Sequence, residues 1–224
     1  MIMEISPPSD KQKLFLTAKT KHVGFGGARG GGKSWSVRTK AKLMALRYPG
    51  IRQLIVRRTY PELINNHINI LRVELLDIAR YNDKDKVFKF VNGSAINFMY
   101  CSRDQDLDRL QGVEYDIIYL DEATQLSEHQ MKTITACLRG ANDFPKRIYY
   151  TMNPGGQGHT YIKRIFIDKR YEAKEWENAT LDNLIASFYR AEKGENVKAA
   201  CYRDALNSRL LYGSKMKGAG ANEP

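Results

Sequence analysis

The sequence predicts an α/β fold: a mainly parallel sheet flanked by helices, with a small helical subdomain at its C-terminal end. Three observations carry this. Short apolar stretches at residues 21–26, 53–58, 117–120 and 147–151 alternate with stretches of helical period, the pattern of a sheet covered on both faces. The run Ile117-Ile118-Tyr119-Leu120 is apolar at consecutive positions, as a strand buried on both sides must be. A glycine cluster follows the first strand and opens the first long helix.

Taken in order, residues 1–10 read as a loose arm containing Pro7-Pro8. The strand at 21–26 runs into the glycine loop, and residues 33–47 form a helix that stops at Tyr48-Pro49-Gly50. After the strand at 53–58 (QLIVRR), Pro61 opens a helix expected to continue to about Arg80. Leu63, Ile64, Ile68, Leu71, Leu75 and Ile78 lie along one face of it. Residues 87–91 and 95–100, joined by Asn92-Gly93-Ser94, read as a β-hairpin. Ser127 caps a helix over 127–138. The core is thus expected to span 1–180. Residues 181–212 read as a helical linker or lid ending at the stop signal Gly213, and 213–224 as a disordered tail.

The 224 residues suit one large domain with a small appendage. The longest apolar runs are about four residues, far short of a membrane-spanning helix. The N-terminus MIMEISPPSDKQK has an acid and two prolines where an export signal needs bases and an apolar core. Cys101, Cys137 and Cys201 are odd in number and far apart, which reads as buried thiols in a reducing cytoplasm and not as a disulfide or zinc framework. Lys plus Arg exceed Asp plus Glu by 36 to 25, a net charge of +11. The excess is local. Residues 11–58 hold 13 Lys/Arg and no acid, and residues 146–174 hold seven bases against two acids. Such a balance suits a polyanion, nucleic acid or acidic membrane, or else forms a solvated basic face.

The chemistry lies in two motifs. Gly27-Ala28-Arg29-Gly30-Gly31-Gly32-Lys33-Ser34 fits GxxxxGK[ST], the phosphate loop, between a strand and a helix as that loop requires. Glycines let successive N–H groups point at phosphate oxygens, and the helix N-terminus adds its positive end. Lys33 is placed to reach the β- and γ-phosphates of ATP, and Ser34 to ligate Mg²⁺. The strand 117–120 then ends in Asp121-Glu122, the second half of such a site. Asp121 would serve Mg²⁺ through water, and Glu122 would polarise the attacking water as general base. The adjacent glutamate marks hydrolases rather than kinases. Together these predict a P-loop NTPase of the additional-strand, catalytic-glutamate type. Arg29, inside the loop, is either an arginine finger acting in cis on the γ-phosphate or a loop arginine bonded to carbonyls or an acid. Without family context, Thr151-Met152-Asn153-Pro154-Gly155-Gly156 reads only as a turn.

In this order GFGGARGGGKS, LIVRRTYPEL, FVNGSAINFMYC, LQGVEYDIIYLDEATQL and TMNPGGQGHTYIKRIFID resemble the ATPase domain of tailed-phage terminase large subunits over roughly residues 10–180. The resemblance implies ATP hydrolysis coupled to translocation of double-stranded DNA into a procapsid, in the cytoplasm of the bacterial host. It implies Asp121-Glu122 as Walker B and catalytic acid, Arg29 as the phosphate-loop arginine, and Thr151 to Asn153 as a coupling motif. Gln12 falls where similar enzymes carry an adenine-reading glutamine, or is a surface glutamine. Partners implied are the portal and procapsid, the small terminase subunit and further copies in a ring. For a ring, Arg109 or Arg139 could be the finger lent to a neighbour, Arg109 rather than Arg139, with an ordinary surface arginine as the alternative. Two features depart from the family pattern. After Asp182 only Glu192, Glu195, Asp204 and Glu223 remain, with no strand to carry a metal nuclease, and NSRLLYGSKMKG lacks the tryptophan expected beyond its glycine. No nuclease activity is expected. The sequence leaves open an engineered domain, a split gene or a truncated prophage remnant. The alternatives in other classes are a remnant that binds nucleotide and DNA without turnover, a helicase-like ATPase lacking its second core, and a small-molecule kinase.

Overall fold

A computed structural model describes residues 6–27 and 30–169. Seven strands form one sheet: β1 (His22–Gly26), β2 (Arg52–Arg57), β3 (Ala79–Asn82), β4 (Val87–Phe90), β5 (Ala95–Tyr100), β6 (Ile117–Leu120) and β7 (Arg147–Met152). Their order across the sheet is β1-β7-β6-β2-β5-β4-β3. The first five in that order pair parallel, and β4 and β3 extend the edge antiparallel. The sheet is therefore mixed but mostly parallel. β7 lies between the glycine-loop strand β1 and the carboxylate strand β6, the position of the additional strand predicted from the motifs.

Helices cover both faces, which is why the central strand β6 is apolar at every position. One apolar layer packs α1 (Asp10–Thr17), α2 (Lys33–Arg47) and the helical segment after β2 onto the sheet through Phe15, Val37, Leu63 and Leu71. The opposite layer packs α5 (Glu128–Thr135) and α6 (His159–Phe166) through Met131, Ile134, Ile162 and Phe166. Ile117, Ile118, Tyr119 and Leu120 are fully buried between the layers. Tyr119 can lie there because its hydroxyl donates to Gln53 Oε1 at 2.9 Å, and Gln53 in turn donates to the Ala41 carbonyl.

Two elements differ from the sequence reading. The arm expected over residues 1–10 is described only from residue 6, and α1, absent from the sequence reading, follows with a capping box at its N-terminus: the Ser9 hydroxyl accepts from Gln12 N–H and Gln12 Oε1 from Ser9 N–H. The long helix expected to reach Arg80 is broken. It runs as α3 (Tyr60–Leu63), a π-turn (Ile64–Ile68) and α4 (Asn69–Glu74), and Arg80 lies in edge strand β3. The tail expectations, over 181–212 and 213–224, lie outside the described residues, as does Cys201. Cys101 and Cys137 are buried free thiols. Among the described residues no helix is long and apolar enough to cross a membrane.

Candidate functional site

The parallel strands all end on one side of the sheet, and their C-terminal ends gather the predicted residues. The glycine loop leaves β1, Asp121 and Glu122 follow β6, Thr151 lies next to last in β7 and Arg57 closes β2. This is where α/β sheets bind ligands.

Gly32 caps α2 in a left-handed conformation (φ 69°), and a Cβ there would fall 2.2 Å from the Gln12 amide nitrogen. The Gln12 side chain therefore lies against the loop while serving the α1 capping box. Lys33 begins α2, and its Nζ donates to the Gly27 carbonyl at 2.9 Å. Burial pushes the Lys33 ammonium down, against the opposing pull of Asp121 and Glu122. Ala28 and Arg29 lie outside the described residues; Gly30 has the positive φ (79°) that favours glycine.

Asp121 is the centre of the arrangement. Its carboxylate is fully buried, and four side chains approach it. Ser34 Oγ donates to Oδ2 at 2.9 Å, His67 Nε2 lies 2.8 Å from the same oxygen, and Arg57 Nε is 3.5 Å from it. Thr151 Oγ1 donates to Oδ1 at 2.5 Å. Burial alone would raise the carboxyl, but His67, Arg57 and Thr151 together hold it well below the usual carboxylate range. Ser34 and Asp121 thus bring hydroxyl and carboxylate oxygens side by side, the hard donor set that Mg²⁺ accepts.

Glu122 turns off the strand end in a left-handed conformation (φ 55°), a strain that only surrounding contacts maintain. Those contacts are present. Arg57 Nη2 lies 2.8 Å from Oε1, Gln125 Nε2 donates to Oε2 at 2.5 Å, and the Glu122 N–H donates to Thr151 Oγ1 at 3.0 Å. Glu122 lines an open cleft of about 600 Å³ with Arg58, Glu62, Thr124 and Asn153. Thr151 is fully buried behind Asp121, whereas Asn153 faces the cleft, its carbonyl accepting from Thr124 Oγ1. The loop after Asn153 is pressed onto the Glu122 turn: a Cβ on Gly156 (φ 89°) would fall 2.3 Å from the Thr124 carbonyl oxygen.

The sequence reading missed Arg57 and His67. Arg57 is one of two arginines ending an apolar strand. His67, four residues from both Leu63 and Leu71, is the one ionisable group on an apolar stripe. Arg109 lies on a 3₁₀ turn after β5, stacked 4.5 Å over Tyr100 and bonded to the Tyr100 hydroxyl and to Asp106. Arg139 pairs with Glu114 at 3.5 Å and lies beyond the end of α5.

Solved structures share this fold. The large terminase of a thermophilic bacteriophage is 20% identical with a TM-score of 0.61, over 77% of this chain and 44% of that one. The ATPase domain of the Thermus phage P74-26 large terminase is 16% identical with a TM-score of 0.53, over 71% and 70%. The N-terminal domain of the DNA packaging ATPase from bacteriophage phi29 is 20% identical with a TM-score of 0.52, over 74% and 88%. The first of these, the thermophilic-phage terminase, has also been solved with ADP and with ATP-gamma-S. This chain spans less than half the length of that terminase. No match is found among curated proteins. The profile of the phage terminase large subunit family matches residues 19–196, most of the sequence. The chain therefore belongs to the phage terminase large subunit family.

Proposed function

We propose that this chain is the ATP-hydrolysing motor part of a DNA-packaging terminase, coupling hydrolysis to movement of double-stranded DNA into a procapsid. The observation that carries the reading is the 2.9 Å hydrogen bond from Ser34 to Asp121, residues 87 positions apart. It joins the phosphate loop to the carboxylate strand, with Lys33 and Glu122 on either side. Lys33 exchanges its bond to the Gly27 carbonyl for phosphate oxygens. Ser34 and Asp121 would hold Mg²⁺, which when bound would neutralise developing phosphate charge. Glu122 accepts the proton of the attacking water once its carboxylate leaves Arg57 or Gln125. In this reading Gln12, whose side chain lies against Gly32, serves the adenine, and Arg29, by its place in the motif, serves the γ-phosphate. Thr151 touches both Asp121 and the Glu122 backbone, so a change there is transmitted to β7 and to the loop bearing Asn153. The net charge of +11 suits a duplex read through its phosphates. Portal, procapsid and small subunit are the protein partners this reading implies, with a ring of copies in the host cytoplasm.

The test is ATP turnover with and without duplex DNA. Lys33→Ala should abolish turnover. Glu122→Gln should keep Mg-ATP bound while slowing hydrolysis by roughly 10²–10⁴-fold. Wild-type rates in Lys33→Ala, or loss of nucleotide binding in Glu122→Gln, would contradict these roles.

A further inference from the structure

Among the groups around Asp121, one comes from an irregular element. Between α3 and α4 the helix widens into the π-turn Ile64–Ile68, a geometry that helices seldom adopt and that concentrates at functional sites. The wider turn frees the Asn66 carbonyl to accept from Arg38 Nη1, and it directs His67 inward. His67 is fully buried, with Nε2 2.8 Å from Asp121 Oδ2 and with Nδ1 lacking a hydrogen-bond partner among the described residues. Burial pushes the imidazole toward its neutral form. A carboxylate can only accept, so the contact is donation from Nε2–H. The ring thus leaves one buried nitrogen unsatisfied to keep one bond to Asp121, an arrangement that packing alone does not favour over an apolar side chain.

The oxygen that receives this bond is also the one that Ser34 Oγ approaches at 2.9 Å. Ser34 must release its hydrogen bond to act as a ligand, whereas His67 need not move. We propose that His67 is a positioning residue for the Mg²⁺ half of the site. It fixes the rotation of the Asp121 carboxylate from below while Ser34 exchanges Asp121 for the cation. The proposal rests on the reading of Ser34 and Asp121 as the Mg²⁺ pair. Partners that hydrogen-bond a metal's carboxylate ligands typically change metal affinity by about 10–100-fold when removed.

The side-chain lengths make a test. The amide nitrogen of glutamine falls near the place of histidine Nε2, whereas that of asparagine falls near Nδ1 and does not reach Asp121. Binding of a fluorescent ATP analogue to the full chain is measured in EDTA and across a Mg²⁺ titration. His67→Asn and His67→Leu should raise the Mg²⁺ concentration for half-maximal enhancement by roughly 10-fold or more, with affinity in EDTA kept within about twofold. His67→Gln should stay within about threefold of wild type in both. Circular dichroism and thermal unfolding establish which variants fold; if His67→Leu does not, the Gln and Asn pair decides. Unchanged Mg²⁺ dependence in the Asn variant, a parallel loss in EDTA, or a Gln variant as impaired as Asn overturns the proposal. Wild-type protein that binds nucleotide without any Mg²⁺ effect overturns the Mg²⁺ pair itself, and that arm separates the two failures.

Discussion

At the scale of single residues, the site is a negative centre held by buried positive and neutral donors. Arg57 matters most to its stability. Its side chain is 4% exposed, and it faces Asp121, which is fully buried, and Glu122, which is 27% exposed. Removing one member of a buried ion cluster leaves the others uncompensated, at a cost of about 3–5 kcal/mol for a fully buried pair. Arg57→Met should therefore lower unfolding free energy by about 2–4 kcal/mol, most of it through Asp121. The Glu122 share is smaller because solvent screens that carboxylate. A double-mutant cycle with Glu122→Gln should give a coupling of no more than about 1 kcal/mol. Urea unfolding of the four proteins measures both. A coupling as large as the single-mutant loss would move the main partnership to Glu122. Neither Arg57 nor His67 can be assigned from the sequence, because their partners are distant in the chain. Asp121 lies 64 residues beyond Arg57 and 54 beyond His67. Lys33, Ser34, Asp121 and Glu122 are legible because each sits in a motif whose spacing the chemistry itself dictates.

At the scale of elements, legibility follows the strength of local punctuation. α2 begins and ends where predicted, because a glycine loop opens it and Tyr48-Pro49-Gly50 closes it. The helix after Pro61 is expected too long because no glycine or proline marks its end. The chain instead turns through Leu75 to Ala79, where two N–H groups share the Leu75 carbonyl, and enters an edge strand of mixed polarity. Its antiparallel pairing with β4 and Tyr81, whose ring tilts against Phe88 at 4.7 Å between centroids, hold that strand. The start of α1 is legible in Ser9-Asp10-Lys11-Gln12, an S-x-x-Q cap, but the prolines before it obscure the signal. How α1 attaches also has a measurable consequence. Lys40 of α2 is buried, donates to the Leu16 carbonyl at 2.5 Å, and lies 5.6 Å from the Tyr149 ring centroid. Burial first, then Arg147, Arg47 and Lys19, lower its ammonium to about 8 from an ordinary 10.5. The native state therefore sheds this proton before the unfolded chain does. Between about pH 8 and 10.5 the unfolded state binds more protons, so the Lys40 contribution to stability rises with pH across that window. Relative to Lys40→Met, wild type should gain on the order of 2–3 kcal/mol from about pH 7 to 10.5. Denaturant unfolding of both proteins at each pH gives the difference, from which the other lysines and tyrosines cancel. A constant difference would mean that Lys40 is solvated in the native state.

At the scale of the whole molecule, the question is how one site senses another. β5 ends on the same side of the sheet as the nucleotide motifs, and the turn that follows it carries Arg109. Ser102, two residues past β5, lines the same cleft as Glu122. Arg109 is half exposed, and the groups that hold it, Tyr100 and Asp106, belong to its own chain. An arginine kept this way is pre-oriented by its ring contact, and to reach a neighbour's triphosphate it must give up its pair with Asp106 and its bond to the Tyr100 hydroxyl, each worth on the order of 1 kcal/mol. Loss of a transition-state arginine slows phosphoryl transfer by about 10³–10⁵-fold, so contact with a neighbour would dominate the rate. If Arg109 acts across the interface, specific ATPase activity rises with protein concentration. Arg109→Ala then removes the rise while leaving nucleotide affinity intact. Mixing sharpens the test. Arg109→Ala subunits keep their own Glu122 and need only a foreign arginine, which Glu122→Gln subunits provide. Mixtures of the two inactive variants should therefore regain turnover at protein concentrations where neither alone has any. Turnover independent of concentration, with no recovery on mixing, would leave Arg29 of the same chain as the remaining candidate for that charge.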